Sequence, residues 1–152
     1  MFALIRHAGY HLGDGSLTPD GARDTDALAE ALRAAGTWSE IRSSPSARTQ
    51  ETAGILGEAI GIPVIIDERI GMDGDLSDLL PPAIGEARQG RLTEPQGIIF
   101  ISHLPTLSRW LRAWSKSFGQ DEPPLTEIAC GYVVDPEAKA IIPVGPLQKF
   151  KT

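Results

Sequence analysis

The sequence has one cysteine, Cys130, in 152 residues. A lone thiol excludes an internal disulfide and fits a reducing compartment. No segment approaches the roughly 20 consecutive apolar residues that a membrane helix needs. Runs of lysine or arginine are also missing, and the formal net charge is −6. A nucleic-acid backbone calls for a basic surface, so non-specific binding of that kind is disfavoured. At the N-terminus the apolar stretch Phe2 to Ile5 comes before Arg6 and His7. A secretory leader carries its basic residues first and a longer apolar run after them. This order predicts a cytoplasmic protein.

What is present is ordinary for a folded chain, with 41% apolar and 22% charged residues. A chain this long buries roughly two-thirds of its unfolded surface, so its core needs neither disulfide nor metal. The length fits one domain over residues 1–152.

Helical and strand patterns alternate. Phe2 to Arg6 is a compact apolar run without helical spacing, hence a short buried strand. After the loop AGYHLGDGSL, Thr18 as N-cap, Pro19 and Asp20 open a helix. Leu28, Leu32 and Ala35 repeat at helical spacing, and Gly36 stops the helix. Trp38 to Ser43 is a second strand. Ser44 and Pro45 open a second helix that carries Ile55, Leu56 and Ile60 up to Gly61. Pro63 to Asp67 is a β-branched third strand. Leu76 to Arg91 is a further helix interrupted by Pro81-Pro82. The most apolar run, Gly97 to Ser102, is a central strand. Beyond Pro105 a helix carries Leu107, Trp110, Leu111, Trp114 and Phe118. Ile128 to Val134 and Ala140 to Val144 form a hairpin across DPEAK. The expected fold is α/β: one three-layer α/β/α domain with a mainly parallel central sheet and a C-terminal β-hairpin.

Open α/β sheets bind ligands beyond the carboxyl ends of their strands. There the sequence collects Arg6 and His7, then Arg48 in the first turn of the second helix, then His103. Each residue alone has a structural explanation: a histidine after a strand, a solvated helix arginine, a cap before Pro105. Together they suit a tetrahedral dianion. Arginine offers a planar fork that matches phosphate oxygens, and a helix N-terminus adds free N–H groups. A neutral imidazole beside these cations is a nucleophile toward phosphorus. The cations should also lower the pKa of His7.

At these residues the sequence resembles the histidine phosphatase (phosphoglycerate-mutase-like) superfamily. LIRHA resembles its Arg-His motif, LTPDGARD the opening of its first helix, SSPSARTQETA its second-arginine motif, and IIFISHLPTL its second-histidine strand and turn. The resemblance implies that His7 is phosphorylated, and that Arg6, Arg48 and His103 bind the phosphoryl group. It also implies that no metal or other cofactor is required. Small size, the Ala8 after Arg-His and the SHLP turn are similar to the short SixA-type branch. That implies phosphohistidine on a signalling protein domain as substrate, with a small phosphate ester as the alternative and a non-catalytic phosphate-binding module as the third.

Ester hydrolysis benefits from a general acid. Glu68 falls where many superfamily members supply one, with Asp73 and Asp75 as neighbours; all three also read as solvated loop acids. DGDLSD opens like an EF-hand but lacks its sixth-position Gly and closing Glu, so no calcium site is expected. His11 in a Gly-rich loop reads as solvated, and Ser44 as a cap. Ser43 and Ser102 read as phosphate donors or backbone caps. The Trp110 and Trp114 stripe reads as core, Arg109 and Arg112 as a solvated face, and Cys130 as packed inside its strand.

Overall fold

The computed structural model describes residues 1–81, 96–125 and 127–146. Its strands are β1 (Phe2–Arg6), β2 (Glu40–Ser43), β3 (Val64–Ile66), β4 (Ile98–Ser102), β5 (Gly131–Asp135) and β6 (Ala140–Val144). Its α-helices are α1 (Pro19–Ala35), α2 (Ala47–Ile60) and α3 (Thr106–Ser117). All six strands share one sheet in the order β3-β2-β4-β1-β5-β6. The first four run parallel; β5 and β6 are antiparallel and form the C-terminal hairpin.

Strand side chains alternate between faces, and this alternation divides the core in two. Phe2, Leu4, Phe100 and Val134 pack with Leu107, Trp110 and Leu111 of α3. Ala3, Ile5, Ile41 and Ile99 pack with Leu28 and Leu32 of α1 and Leu56 of α2. The sheet therefore lies between α3 and the α1–α2 pair, the three layers expected from the sequence. The tryptophan stripe is core: Trp110 is fully buried, and the Trp110 and Trp114 indole N–H groups both donate to the Leu79 carbonyl, at 3.1 and 3.2 Å. Burying such side chains stabilises the fold by ~1.5–3 kcal/mol each. Cys130 is buried, just ahead of β5 rather than inside it.

Several boundaries differ from those read in the sequence, each for a local reason. Strand β2 starts at Glu40 because Trp38 instead turns into the core and donates its indole N–H to the Leu32 carbonyl at 2.8 Å. Ala35 is exposed, and Ala29 takes its place on the buried face of α1. Helix α2 starts at Ala47 behind Ser46 rather than at Ser44-Pro45. The Ser44 hydroxyl is not the cap: it bonds to the Thr49 hydroxyl at 2.7 Å. Strand β3 is shorter by a residue at each end. Strand β5 starts at Gly131 because Ala129 has φ 55° and turns its N–H to the Arg6 and His7 carbonyls, at 3.1 and 3.0 Å. Within the expected helix 76–91, the described part holds one 3₁₀ turn at Ser77–Leu79, and residues 82–91 lie outside the described residues. No described helix is long and apolar enough to cross a membrane.

Candidate active site

The sheet order brings the chemistry together. Strands β1 and β4 are parallel neighbours with Arg6 opposite Ser102, so His7 and His103 leave the sheet side by side. Strand β2 flanks β4 on its other side, and the turn out of it delivers Arg48 as the second residue of α2. The opening of α1 packs beneath the loop that follows His7. The Thr18 hydroxyl accepts the Gly21 N–H at 3.0 Å, and the Thr18 N–H donates to the Gly9 carbonyl at 3.0 Å. A Cβ on Gly21 would lie 2.2 Å from that same carbonyl oxygen, which gives the glycine of LTPDGARD a steric reason.

His7 is buried, and its Nδ1 lies 2.9 Å from the Ala8 carbonyl oxygen. A carbonyl only accepts, so Nδ1 carries the hydrogen and Nε2 keeps its lone pair. The His7 pKa falls to about 4. Burial is the largest cause, and Arg48, Arg6 and His103 add to it against the opposing bond to Ala8. The ring is thus held neutral with a nucleophilic nitrogen available.

His103 is also buried, and Arg48 Nη2 donates to its Nδ1 at 3.5 Å. Because a guanidinium cannot accept, the His103 hydrogen sits on Nε2. That N–H is buried and has no hydrogen-bond partner among the described residues, and the same holds for Arg48 Nε. Buried donors without acceptors are costly, and a phosphoryl oxygen would satisfy them. Burial, then the Arg48 charge, hold the His103 pKa below its usual value. Arg48 and His103 line a cleft of about 390 Å³ with Ser44, Glu68, Met72 and Asp73.

Of the expected acids, Glu68 and Asp73 line this cleft and Asp75 does not. Asp75 accepts from the Ser77 hydroxyl and, at 2.9 Å, the Ser77 N–H, and these bonds lower its pKa, the wrong direction for an acid. Asp67, just before Glu68, is occupied too. Burial alone would raise its pKa, but bonds from Arg69 and the charge of Arg42 hold it below the usual range.

The hydroxyls of Ser43 and Ser102 serve the backbone, donating to Ser44 O at 2.8 Å and Ile70 O at 2.7 Å. His11 is exposed, and its backbone closes a turn through Ser16 and Gly15. Arg109 and Arg112 are exposed, and Arg112 pairs with Glu122 at 3.3 Å.

Two residues of the site were not read from the sequence. The Tyr10 ring stands edge to face with His7 at 5.1 Å, and the Arg48 guanidinium lies 5.1 Å over its centroid. Thr52 is buried and accepts the Ala8 N–H at 3.1 Å. Its position four residues after Arg48, on the face of α2 that carries Arg48, was the available signal.

Residues 4–71 match the model of the histidine phosphatase superfamily (branch 1). No curated protein matches the chain. Among solved structures, the chain is similar to the protein histidine phosphatase SixA complexed with tungstate, at 17% identity over 97% of this chain and 98% of that one, with TM-score 0.68. It is also similar to a mycobacterial glucosyl-3-phosphoglycerate phosphatase complexed with VO3, at 16% identity over 96% and 97%, with TM-score 0.57. A phosphoglycerate mutase from Plasmodium falciparum shares 18% identity over 95% and 86%, with TM-score 0.56. The family match thus covers the first part of the chain, residues 4–71, and the solved structures share its fold. Since these neighbours are named for different activities on one fold, the substrate has to be argued from the site.

A pH prediction follows from the two depressed histidines. Folded His7 and His103 bind a proton more weakly than the unfolded chain does. As pH falls below about 6.5, the unfolded state therefore takes up protons first and stability is lost, until His7 itself titrates near 4. Ring-nitrogen NMR should show His7 neutral at pH 5.5, and urea midpoints should decline between pH 7 and 5.

Proposed function

We propose that the chain is a phosphatase that works through a phosphohistidine at His7. The observation that carries this reading is the His7 ring: neutral, its Nδ1 hydrogen tied to Ala8, beside Arg48 and His103. Nε2 would attack phosphorus in line as the bond to the leaving group breaks. Arg6, Arg48 and the His103 N–H would hold the equatorial oxygens, where charge collects. Water would then attack the phosphohistidine, releasing phosphate and regenerating His7. No metal takes part in this scheme.

The preferred substrate is phosphohistidine on a protein. Among the residues lining the cleft, Glu68 and Asp73 bring negative charge and Arg48 is the sole arginine or lysine. That balance opposes a leaving group bearing its own carboxylate or phosphate and suits an imidazole, which is neutral or cationic. Likeness in fold to the protein histidine phosphatase SixA supports the same choice. A small phosphate ester is the second reading, favoured by Glu68 lying in the cleft with Arg48 and His103, where it could protonate an alkoxide.

One experiment separates them: phosphate release from a histidine-phosphorylated protein domain and from p-nitrophenyl phosphate and 3-phosphoglycerate, with wild type and Glu68→Gln. The expected result is a clear wild-type preference for the phosphohistidine domain, with less than about a threefold effect of Glu68→Gln on it. Preference for an ester, together with a loss on the order of 10²-fold in Glu68→Gln on that ester, would instead establish the second reading.

A further inference from the structure

Thr52 lies outside the four residues that make up the phosphate pocket, yet it joins two of their supports. Its hydroxyl oxygen accepts the Ala8 N–H at 3.1 Å and donates its own hydrogen to the Arg48 carbonyl at 2.8 Å. Ala8 is the residue whose carbonyl holds the His7 Nδ1 hydrogen. A bond from threonine to the carbonyl four residues earlier is common in helices. Accepting an N–H from a residue 44 positions away is not. Ala8 and Thr52 are both buried, so the bond between them is shielded from water.

We propose that Thr52 is a positioning residue that sets the placement of the His7 ring relative to Arg48. This rests on the reading of His7 as nucleophile. The chain of bonds is His7 Nδ1–H to Ala8 O, Ala8 N–H to Thr52, and Thr52 to Arg48 O. Through it, one hydroxyl couples the ring that attacks to the backbone of the arginine that holds the target. Displacing a reacting group by about 1 Å can cost on the order of 10²-fold in rate, while binding of the anion changes far less.

The test compares Thr52→Val, which keeps the shape and loses the hydroxyl, with Thr52→Ser, which keeps the hydroxyl. Readouts are kcat and KM on the histidine-phosphorylated domain, inhibition by inorganic tungstate, and the ring-nitrogen NMR of His7. Expected for Thr52→Val is a kcat loss of about 10- to 100-fold with KM and tungstate inhibition within about threefold, and Thr52→Ser close to wild type. Thr52→Ala leaves room for a water beside the Ala8 N–H and replaces Thr52→Val if the valine variant does not fold. Wild-type kcat in the folded valine or alanine variant would overturn the proposal. So would equal losses in the valine and serine variants, which would point to packing of the methyl group. A wild type inactive on every substrate overturns the functional reading instead. In that case the His7 ring decides: a changed tautomer balance in Thr52→Val alone supports positioning, and an unchanged ring overturns it.

Discussion

Replacing His7 with alanine should lower phosphate release by a factor on the order of 10³ or more, on whichever substrate the wild type prefers. The reason is that no other side chain replaces its Nε2. His103 is the other buried histidine of the pocket, but its Nδ1 is taken by Arg48 and its Nε2 carries the hydrogen. His11 is exposed on the loop beyond Tyr10 and does not line the cleft. Pocket electrostatics would survive the change, so the variant should still bind tungstate. Quenching wild-type turnover in alkali should trap an acid-labile phosphoryl group on His7, absent from His7→Ala. Trapping and turnover lost together assign the nucleophile. Tungstate binding with no trapped phosphoryl group in wild type would instead favour a phosphate-binding module without turnover. Full activity in His7→Ala would mean that the pocket works by another route.

Arg48→Lys should cost on the order of 10²-fold in kcat/KM although the charge is kept. Arg48 does three things that a lysine cannot do at once. Its Nη2 reaches His103 Nδ1 at 3.5 Å and so leaves the hydrogen on Nε2. Its planar face stacks over Tyr10 at 5.1 Å, and its fork matches two phosphoryl oxygens where an ammonium offers a point charge. Tungstate inhibition should weaken in parallel, because binding and transition-state stabilisation share the same donors. Circular dichroism guards against a folding artefact: Arg48 lies in the first turn of α2 and is only half-buried, so the helix should persist. An effect below about threefold would show that charge alone suffices and that the fork and the His103 contact are dispensable.

How much of this could be read before the fold was known varies with the kind of signal. The strand-end histidines and the helix-start arginine were legible because βα units send strand ends to one rim of the sheet. The α1 opening was legible because Thr18, Pro19 and Asp20 act within a single turn. Boundaries were less so. Trp38 reads as strand by composition but goes to the core, and Ala129 takes a positive φ that only its bonds to Arg6 and His7 carbonyls explain. Tyr10 looked like part of a polar loop, since nothing in the sequence says that its ring will lie against both His7 and Arg48.

The sequence by itself determined the layers, the core faces and the identity of the chemical groups, because hydrophobic period and capping are local properties. Tertiary structure alone decided three things. It set the sheet order that puts β4 between β1 and β2, so that His7, His103 and Arg48 meet. It chose which ring nitrogen of each histidine carries the hydrogen, because the partners are a backbone carbonyl and a guanidinium 55 residues away. It also sorted the loop acids, sending Asp67 to Arg69 and Asp75 to Ser77 and leaving Glu68 and Asp73 in the cleft. Such contacts between distant residues are absent from any local pattern, since they exist only once the chain has closed on itself.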